Sequence, residues 1–403
     1  MRTFTAAFAA LILSAVSHGA QAQTAVAPDN SAACVETFDA SADYFPNKVT
    51  AQHSKLWSVS YHGNYKVVTV ADTESKTDAW LRYVLVQCGT PTPELKDDLA
   101  GALVVQIPAK RVMVAHRNAL AMIDELGQLK SVVGVTKQFL GWADKDPWYR
   151  RVVSQASKPQ DIGRQEEINL ELALSLEPDV IFMPGYGQGQ TYVGEQRARG
   201  LPMALISNRT EPSPLGSSEW LKMIATFYNA ESRANEIFAT IEKDYGDVTR
   251  EVADKVAGRG LEAAYGCVGE TGGCGFFFGH GDKTLNGQIL TLMGYKNSLA
   301  ENNDQPNGRP YDMEEALGRL QNTSFVFLYW LDSGKVAATD PQYKNVPALA
   351  AGKYVAATTD NFQECNAVAY VRVDKLARDF AIGVFPELFP GEKGVCFLGP
   401  NQP

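Results

Sequence analysis

The sequence predicts an α/β protein in which two α/β lobes flank one long backbone helix. Two observations carry this prediction. Strand-like apolar runs alternate with amphipathic helical segments on both sides of the middle of the chain, which is typical of mostly parallel sheets covered by helices. Between these regions, apolar residues recur at steps of three and four from Trp220 to Val256, as on one face of a helix. Even if Gly246 ends the regular part of this helix, about 25 residues, at ~1.5 Å each, would span ~37 Å.

The first lobe is assigned to residues 109–216. Gly127 and Gly200 each follow a helical segment, at the position where a residue with positive φ often ends a helix. The predicted strands are 111–115, 132–135, 179–183 and 202–206, and the predicted helices are 118–126, 170–176 and 195–199.

The backbone helix is assigned to residues 217–257, with Ser217 and Ser218 as a pair of candidate N-cap residues. The second lobe is assigned to residues 258–403, where the alternation of strands and helices resumes. Its predicted strands are 261–265, 325–328 and 354–357, and its predicted helices lie around 289–293, 314–320 and 371–384.

Residues 23–108 form an N-terminal extension to the first lobe. Two β-rich runs, 66–71 and 80–87, flank a polar loop, and this pattern predicts a β-hairpin. We expect the hairpin to pack on the first lobe and to extend its sheet. Residues 23–60 show few periodic signals and are expected to be irregular.

The first 22 residues have the pattern of a secretory signal peptide. Arg2 is followed by an apolar stretch from Phe4 to Val16, and small residues at Ala20 and Ala22 mark the expected cleavage site. The stretch is too short for a membrane span of ~20 residues. We therefore expect a soluble periplasmic protein, or an extracellular one if the source is a eukaryote.

Composition excludes one large class of partner. The chain has 37 Lys and Arg residues against 46 Asp and Glu residues, a net charge of −9, and no long basic run. Binding to a phosphate backbone needs clustered cations, so a nucleic-acid partner is not expected.

The six cysteines point to disulfides. In an exported chain an even number favours disulfide bonds, and six cysteines allow 15 pairings. Proximity along the chain favours Cys34 with Cys88, Cys267 with Cys274, and Cys365 with Cys396, but the sequence does not decide between the pairings. No short C-x-x-C pair is present, so no metal site is predicted.

Several phrases occur in a characteristic order across about residues 110–390. They are RVMV at 111–114, DELG at 124–127, NLELALSLEPDVIF at 169–182, GLPMAL at 200–205, MEEAL at 313–317 and FPELFP at 385–390. In this order the chain resembles the periplasmic substrate-binding proteins of ATP-driven importers, in the helical-backbone branch that carries ferric siderophores, haem and cobalamin. The resemblance implies two Rossmann-like lobes with a ligand cleft between them.

The candidate ligand-binding residues follow the predicted strands, because open α/β sheets bind ligands beyond the carboxyl ends of their strands. They are mostly aromatic or cationic, which suits a bulky anionic complex. The groups at 142–151 and 276–280 are expected to lie in glycine-rich loops, which often carry binding sites. The alternative interpretation of each aromatic residue is a position in the core. The alternative interpretation of the two histidines is axial ligation of haem. The candidates are His116, Arg117, Trp142, Trp148, Tyr149, Arg150, Tyr186, Arg209, Phe276, Phe278, His280, Tyr329, Trp330, Tyr370 and Arg372.

The resemblance also implies a partner. Proteins of this family dock onto the inner-membrane permease of an ABC transporter through one glutamate on each lobe, and the matching residues are Glu171 and Glu314, with Glu315 as the alternative for Glu314. A glutamate near the start of a helix also interacts favourably with the helix dipole, which is the alternative interpretation of both residues.

The predicted function is capture of an iron-siderophore-type chelate and its delivery to the importer by a monomer that has no catalytic residues and no cofactor of its own. The alternatives are a haem- or cobalamin-binding protein of the same fold, an exported two-lobed α/β enzyme, and a sensor domain. The hydrolase and metalloprotease motifs G-x-S-x-G and H-E-x-x-H do not occur. The segment 279–284 lacks the first glycine of a P-loop, because Phe277 stands in its place.

Overall fold

The computed structural model describes residues 33–71, 80–165, 167–185, 193, 195, 197, 199–269, 273–305, 308–330, 332–357 and 362–398. The expected signal peptide and Tyr186 lie outside these residues. None of the described helices combines the length and the apolar composition that crossing a bilayer requires.

The N-terminal extension folds into a four-stranded sheet of its own. Its strands are β1 (Trp57–His62), β2 (Tyr65–Ala71), β3 (Trp80–Gln87) and β4 (Leu103–Ile107). Strands β2 and β3 pair antiparallel from Ala71 with Trp80, so they form the hairpin that the sequence predicts. The expectation that this hairpin extends the first lobe's sheet is wrong, because β1 and β4 occupy its two edges. Strand β1 begins within the segment 23–60, which was expected to be irregular.

The first lobe contains a parallel sheet in the order β11-β10-β5-β6-β7. Its strands are β5 (Val112–Val114), β6 (Val132–Val135), β7 (Gln160–Asp161), β10 (Val180–Pro184) and β11 (Met203–Ile206), and β8 (Gly163–Arg164) pairs separately with β9 (Glu167–Ile168). The helices are α1 (Arg117–Glu125), α2 (Lys137–Ala143), α3 (Pro147–Gln155) and α4 (Leu170–Ser175). The parallel arrangement agrees with the prediction. The segment 142–151, which was expected to be a loop, lies largely in α2 and α3.

Two helices connect the lobes where the sequence predicts one. They are α5 (Pro214–Thr226) and α6 (Glu231–Val256). The helical conformation is interrupted between them at Asn229, whose φ is 57°. Asn tolerates this left-handed conformation better than most residues do. The apolar spacing of three and four continues on both sides of the break, which is why the sequence pattern does not reveal it. Helix α6 alone is still long, since its 26 residues at ~1.5 Å each span ~39 Å.

The N-terminal extension is held to this connector by buried charges. The ammonium group of Lys66 donates to the Thr226 carbonyl and to Asn229 Oδ1, both at 2.8 Å, and forms an ion pair with Glu231 in which both side chains are fully buried. The Thr226 carbonyl lies at the end of α5, so Lys66 satisfies an acceptor that the helix break leaves open. The break is therefore part of the packing between the extension and the connector.

A second buried carboxylate, Glu219 of α5, binds the loop before β1. It accepts backbone N–H groups of Gln52, His53 and Ser54 at 2.8–3.0 Å and pairs with Lys222 at 2.9 Å. Burial opposes ionisation of Glu219, but the N–H bonds and the Lys222 ammonium outweigh it and lower its pKa. This glutamate is consequently a charged anchor for the extension.

The second lobe has a mixed sheet in the order β15-β13-β12-β16-β17-β18, with β14 beside β12. Strands β12 (Glu262–Gly269), β14 (Lys296–Asn297), β16 (Thr323–Leu328) and β17 (Tyr354–Ala357) form its parallel part, and β13 (Gly275–Gly279), β15 (Arg309–Tyr311) and β18 (Phe397–Leu398) are antiparallel. Its helices are α7 (Leu285–Leu292), α8 (Met313–Leu320), α9 (Ser333–Thr339), α10 (Pro347–Ala350), α11 (Phe362–Val368) and α12 (Val373–Val384). The aromatic segment 276–278, expected to lie in a loop, is strand β13.

Three disulfides are present: Cys34–Cys88, Cys267–Cys274 and Cys365–Cys396. They confirm the pairing that proximity along the chain favours. Cys267–Cys274 joins β12 to the residue before β13, and Cys365–Cys396 joins α11 to the residue before β18. The third disulfide thus connects two segments that also border the cavity described next.

Candidate functional site

A cavity of about 300 Å³ lies where the carboxyl end of β11 in the first lobe meets the second lobe. Arg209 is the one residue of the first lobe among its described lining residues. The second lobe supplies Tyr265, Phe278, His280, Thr284, Leu285, Asn286, Tyr329, Ala357, Cys365, Asn366, Ala369, Tyr370, Leu376, Cys396 and Phe397. Arg209, Tyr329 and Ala357 stand at or just beyond the carboxyl ends of parallel strands, where α/β sheets carry their binding sites.

Arg209 and Tyr370 meet across the boundary between the lobes. The guanidinium carbon of Arg209 lies 4.5 Å from the centroid of the Tyr370 ring, and its Nη2 atom donates to the Tyr370 hydroxyl at 3.3 Å. A guanidinium over an aromatic face is an attractive cation–π geometry. The pair gives the cavity a positive charge beside an aromatic surface.

Aromatic rings form one wall of the cavity. Tyr265 and Tyr329 are stacked with centroids 5.2 Å apart, and the His280 ring meets both edge-on at 5.1 and 5.2 Å. Phe278 packs against His280 at 5.8 Å. Burial raises the pKa of Tyr265 and of Tyr329, so both phenols stay protonated at physiological pH. The wall is therefore uncharged.

His280 is a buried imidazole without an internal partner. The residue is 8% exposed, and neither ring nitrogen has a hydrogen-bond partner among the described residues. Burial, together with the Arg209 charge, lowers the pKa of His280 to about 3. The ring is consequently neutral at physiological pH and offers one N–H donor and one acceptor nitrogen.

The first turn of α7 forms another part of the lining. Thr284 is the N-cap residue, and its hydroxyl accepts the N–H of Gly287 at 3.1 Å. Leu285 and Asn286 follow it and also line the cavity. The N–H groups of a first turn have no carbonyl partner within the helix and lie at its positive end.

Five of the sequence-predicted residues line this cavity: Arg209, Phe278, His280, Tyr329 and Tyr370. The sequence does not predict Tyr265 or the first turn of α7 as site residues, and it predicts the Cys365–Cys396 disulfide without placing it at the site. Tyr265 lies inside an apolar strand run, so it has the pattern of a core residue. A threonine before an apolar run is a recognised helix-start signal, and Thr284 could have been found by it.

The other predicted residues of the first lobe lie outside the cavity lining. His116 is the buried N-cap of α1, where its Nδ1 atom accepts the Ala119 N–H at 3.3 Å. Arg117 lies 4.9 Å from the Trp142 ring, and Trp148 and Tyr149 are buried core residues that pack edge to face. The core position of these two rings follows from the helix α3, which replaces the expected loop.

The remaining candidates are engaged in local contacts. Arg150 donates to backbone carbonyls of residues 143 and 144, and Phe276 stacks on Tyr343 at 5.0 Å. Arg372 pairs with Asp374 at 2.6 Å and with Glu125 at 3.4 Å, and is not among the residues that line the cavity. Trp330 is half-buried beside Tyr329 and is also absent from that lining.

The two lobes touch beside the cavity. The Asn118 amide of α1 donates to backbone carbonyls in α11, the Ser217 hydroxyl donates to the Tyr370 carbonyl at 2.9 Å, and the Glu364 N–H donates to Asp146 at 3.0 Å. These bonds fix the positions of the segments that enclose the cavity.

The acidic residues expected on the outer surface are exposed. Glu171 and Glu314 lie in the first turns of α4 and α8. Glu315 instead bonds to Arg309 and lies 3.8 Å from Arg319. Within the described part of the chain, no group of three or more His, Cys, Asp and Glu residues is arranged to hold a metal ion.

Comparison with known proteins gives relatives in sequence and in structure. An uncharacterized lipoprotein of Methanocaldococcus jannaschii is 25% identical over 79% of this chain and 76% of its own length. The petrobactin-binding protein YclQ of Bacillus subtilis superposes with a TM-score of 0.54 at 15% identity, covering 79% of this chain and 98% of its own. The siderophore-binding protein FhuD of Vibrio cholerae, bound to Fe³⁺-Desferal, superposes with a TM-score of 0.51 at 20% identity, covering 68% and 97%.

These superpositions agree with the two-lobed α/β architecture and with a cleft between the lobes. The sequence profile of the periplasmic binding protein family matches residues 112–360, which is more than half of the chain and includes the first lobe's sheet, the connector and the second lobe's sheet except β18. The chain belongs to the periplasmic binding protein family.

Proposed function

We propose that the protein captures an iron-siderophore-type chelate outside the cytoplasm and delivers it to an ABC importer. The observation that carries the proposal is the cavity between the lobes, which is lined by Arg209, packed on the Tyr370 ring, and by the stacked rings of Tyr265 and Tyr329. Stacked aromatic rings suit the planar parts of a chelate, and an arginine suits its anionic oxygens. The structural relatives YclQ, a petrobactin-binding protein, and FhuD, bound to Fe³⁺-Desferal, support the same class of ligand.

The size of the cavity limits which chelates fit without movement of the lobes. Its volume of about 300 Å³ is at the lower end of the ~300–1,000 Å³ that small-molecule sites occupy. A large chelate therefore requires the lobes to move apart, whereas a compact chelate does not. We infer that binding of a large chelate, but not of a compact one, is coupled to movement of the lobes.

Ligand binding is tested by native mass spectrometry of the purified protein and by titration of its intrinsic fluorescence. The titrated compounds are a ferric hydroxamate, a ferric catecholate, haem and cobalamin. A saturable response to a ferric siderophore, with the compound recovered unchanged, supports the proposal. A response to haem or cobalamin alone would reassign the ligand, and conversion of the bound compound to a product would indicate an enzyme.

Delivery to a permease is tested through the two exposed glutamates. We expect Glu171→Ala with Glu314→Ala to reduce uptake while ligand affinity stays unchanged. Glu251→Ala with Glu387→Ala removes the same charge from exposed positions elsewhere and serves as the control. Glu315 is a weaker candidate for docking than Glu314, because its carboxylate already pairs with Arg309. Normal uptake by the double variant would contradict permease docking through these residues.

Export is part of the same proposal. The N-terminal signal pattern and the family both support a location beyond the inner membrane. Sequencing of the mature N-terminus and fractionation of cells test it. A mature chain that begins near residue 23 in the periplasmic fraction is the expected result.

A further inference from the structure

We propose that the first turn of α7, Arg209 and His280 together form a subsite for an anionic oxygen group of the ligand. The proposal rests on the proposed function and narrows its ligand class. The cargo is an oxyanion, or a chelate that presents carboxylate or phosphate oxygens to this corner of the cavity.

The backbone supplies the first set of donors. Thr284, Leu285 and Asn286 line the cavity at the start of an eight-residue helix. The N–H groups of the first turn lack partners within the helix, and the helix dipole makes this end positive, so together they favour an anion. The Thr284 hydroxyl satisfies the N–H of Gly287, which lies deeper in the turn than Leu285 and Asn286.

His280 gives an independent indication of a ligand at the same place. Its side chain is more than nine-tenths buried, lines the cavity, and has no hydrogen-bond partner on either nitrogen among the described residues. A buried polar group without a partner is costly, and a ligand oxygen would accept the ring N–H. His280 immediately follows β13, and its carbonyl accepts the side-chain amide of Asn297 at 3.0 Å, which fixes the residue beside α7.

The charge balance at this corner agrees with an anion. Arg209 carries a positive charge into the cavity, and none of the described lining residues is acidic. The carboxylate nearest to Thr284 along the chain, Asp282, is exposed and bonds to Asn297 at 2.9 Å and to Thr291 at 3.3 Å. The subsite thus has one cation, several N–H donors and no competing carboxylate within the described lining.

The test is calorimetric titration of the purified protein with three probes. Molybdate is a free tetrahedral oxyanion, ferric citrate is a chelate that presents carboxylates, and ferrichrome is a neutral ferric hydroxamate. We expect at least one anionic probe to bind. Binding of molybdate assigns the subsite to a free oxyanion, and binding of ferric citrate alone assigns it to a carboxylate carried by a chelate.

Substitutions of Arg209 and His280 then test whether the anion binds at this subsite. Arg209→Gln is expected to weaken binding of the anionic probe at least ~10-fold, since bonds between charged groups are the strong ones. His280→Ala is expected to weaken it less, and His280→Gln, which keeps an N–H donor, to restore part of the loss. Arg250→Gln removes an exposed cation of α6 and should leave affinity unchanged. If a variant fails to fold, hydrogen exchange of residues 280–288 is measured in the unmodified protein instead. We expect the anionic probe to protect the amides of these residues from exchange.

The outcomes separate this inference from the proposed function. Binding of ferrichrome without either anion overturns the anion subsite and leaves siderophore binding in place. Anion binding that Arg209→Gln does not change, or that does not protect residues 280–288, also overturns the subsite. If none of the three probes binds, the subsite fails, and the proposed function is then decided by the titration with a ferric catecholate.

Discussion

The side-chain amide of Asn118 donates to the backbone carbonyls of Asn366 and Ala367, at 3.1 and 2.7 Å, and so joins helix α1 of the first lobe to helix α11 of the second. Asn118 is fully buried. Asn366 also lines the cavity, and Tyr370, the ring beneath Arg209, follows two residues after the end of α11. One side chain therefore positions part of the cavity wall relative to the opposite lobe.

We predict that Asn118→Ala shifts the protein toward a more open arrangement of its lobes. The substitution removes the donor to the buried Ala367 carbonyl and to the part-buried Asn366 carbonyl, and loss of the buried bond costs about 1–3 kcal/mol. Small-angle scattering should show a larger radius of gyration, and ligand affinity should fall. Asn235→Ala removes an exposed amide that donates to the Lys48 carbonyl, at 3.0 Å, and is the control. Unchanged scattering and affinity in Asn118→Ala would contradict the prediction.

The second prediction concerns the buried ion pair of Lys66 and Glu231. Both side chains are inaccessible to solvent, so Lys66→Met leaves the buried Glu231 carboxylate without its cation and should destabilise the protein by about 3–5 kcal/mol. The double variant Lys66→Met with Glu231→Met should recover much of this loss. Urea denaturation measures both effects. Lys243→Met breaks the exposed pair with Asp247 and should change stability little; an equally small effect of Lys66→Met would contradict the prediction.

The disulfides should differ in their effect on binding. Cys365 and Cys396 line the cavity and are 31 positions apart, whereas Cys267 and Cys274 are 7 apart and are not among the lining residues. Replacing Cys365 and Cys396 by serine should cost about 2–5 kcal/mol and weaken ligand binding. The same change at Cys267 and Cys274 should cost less and leave affinity intact. Thermal unfolding and fluorescence titration distinguish the variants, and equal affinities would count against the prediction.

Stability should depend on pH through Asp379. Burial raises the pKa of its carboxyl to about 6 from the ordinary 3.8, although the N–H groups of Val395 and Cys396 bond to it. Between these two values the folded state keeps a proton that the unfolded state releases, so the free energy of unfolding falls as pH rises and levels off above the higher value. The decline is about 3 kcal/mol, at ~1.4 kcal/mol per pKa unit.

Asp379→Asn should remove that decline. Urea denaturation between about pH 4 and pH 7 measures it, and Glu251→Gln, at an exposed position of α6, is the control. The prediction is wrong if the pH slope of Asp379→Asn equals that of the unmodified protein.

The sequence predicts most of the parallel strands because they are short apolar runs between helices, as buried strands must be. It does not predict the break at Asn229, since the apolar spacing continues through it and the partner that stabilises the break, Lys66, is far away in the sequence. Helix α3 was missed although Asp146 and Pro147 form a good start signal, an N-cap acid followed by proline.

The sequence predicts only part of the candidate site, again because some of its contacts join segments that are distant in the chain. Residues after parallel strands, such as Arg209 and Tyr329, can be recognised from the order of the elements. Arg372 stands instead at the start of α12, and its pairing with Glu125 depends on a contact between segments that are distant in the chain. Tyr265 lines the cavity from within a strand, a position that sequence patterns assign to the core.

The buried carboxylates of the connector determine how far the protein can be shortened. Glu219 and Glu231 find their partners in residues 52–54 and in Lys66, all of which precede the family-matched region at residue 112. A fragment trimmed to that region would lose these partners, and the face of α5 that the extension covers would be exposed to solvent. We therefore expect the extension to be needed for stable folding, and a shortened chain should begin before residue 52.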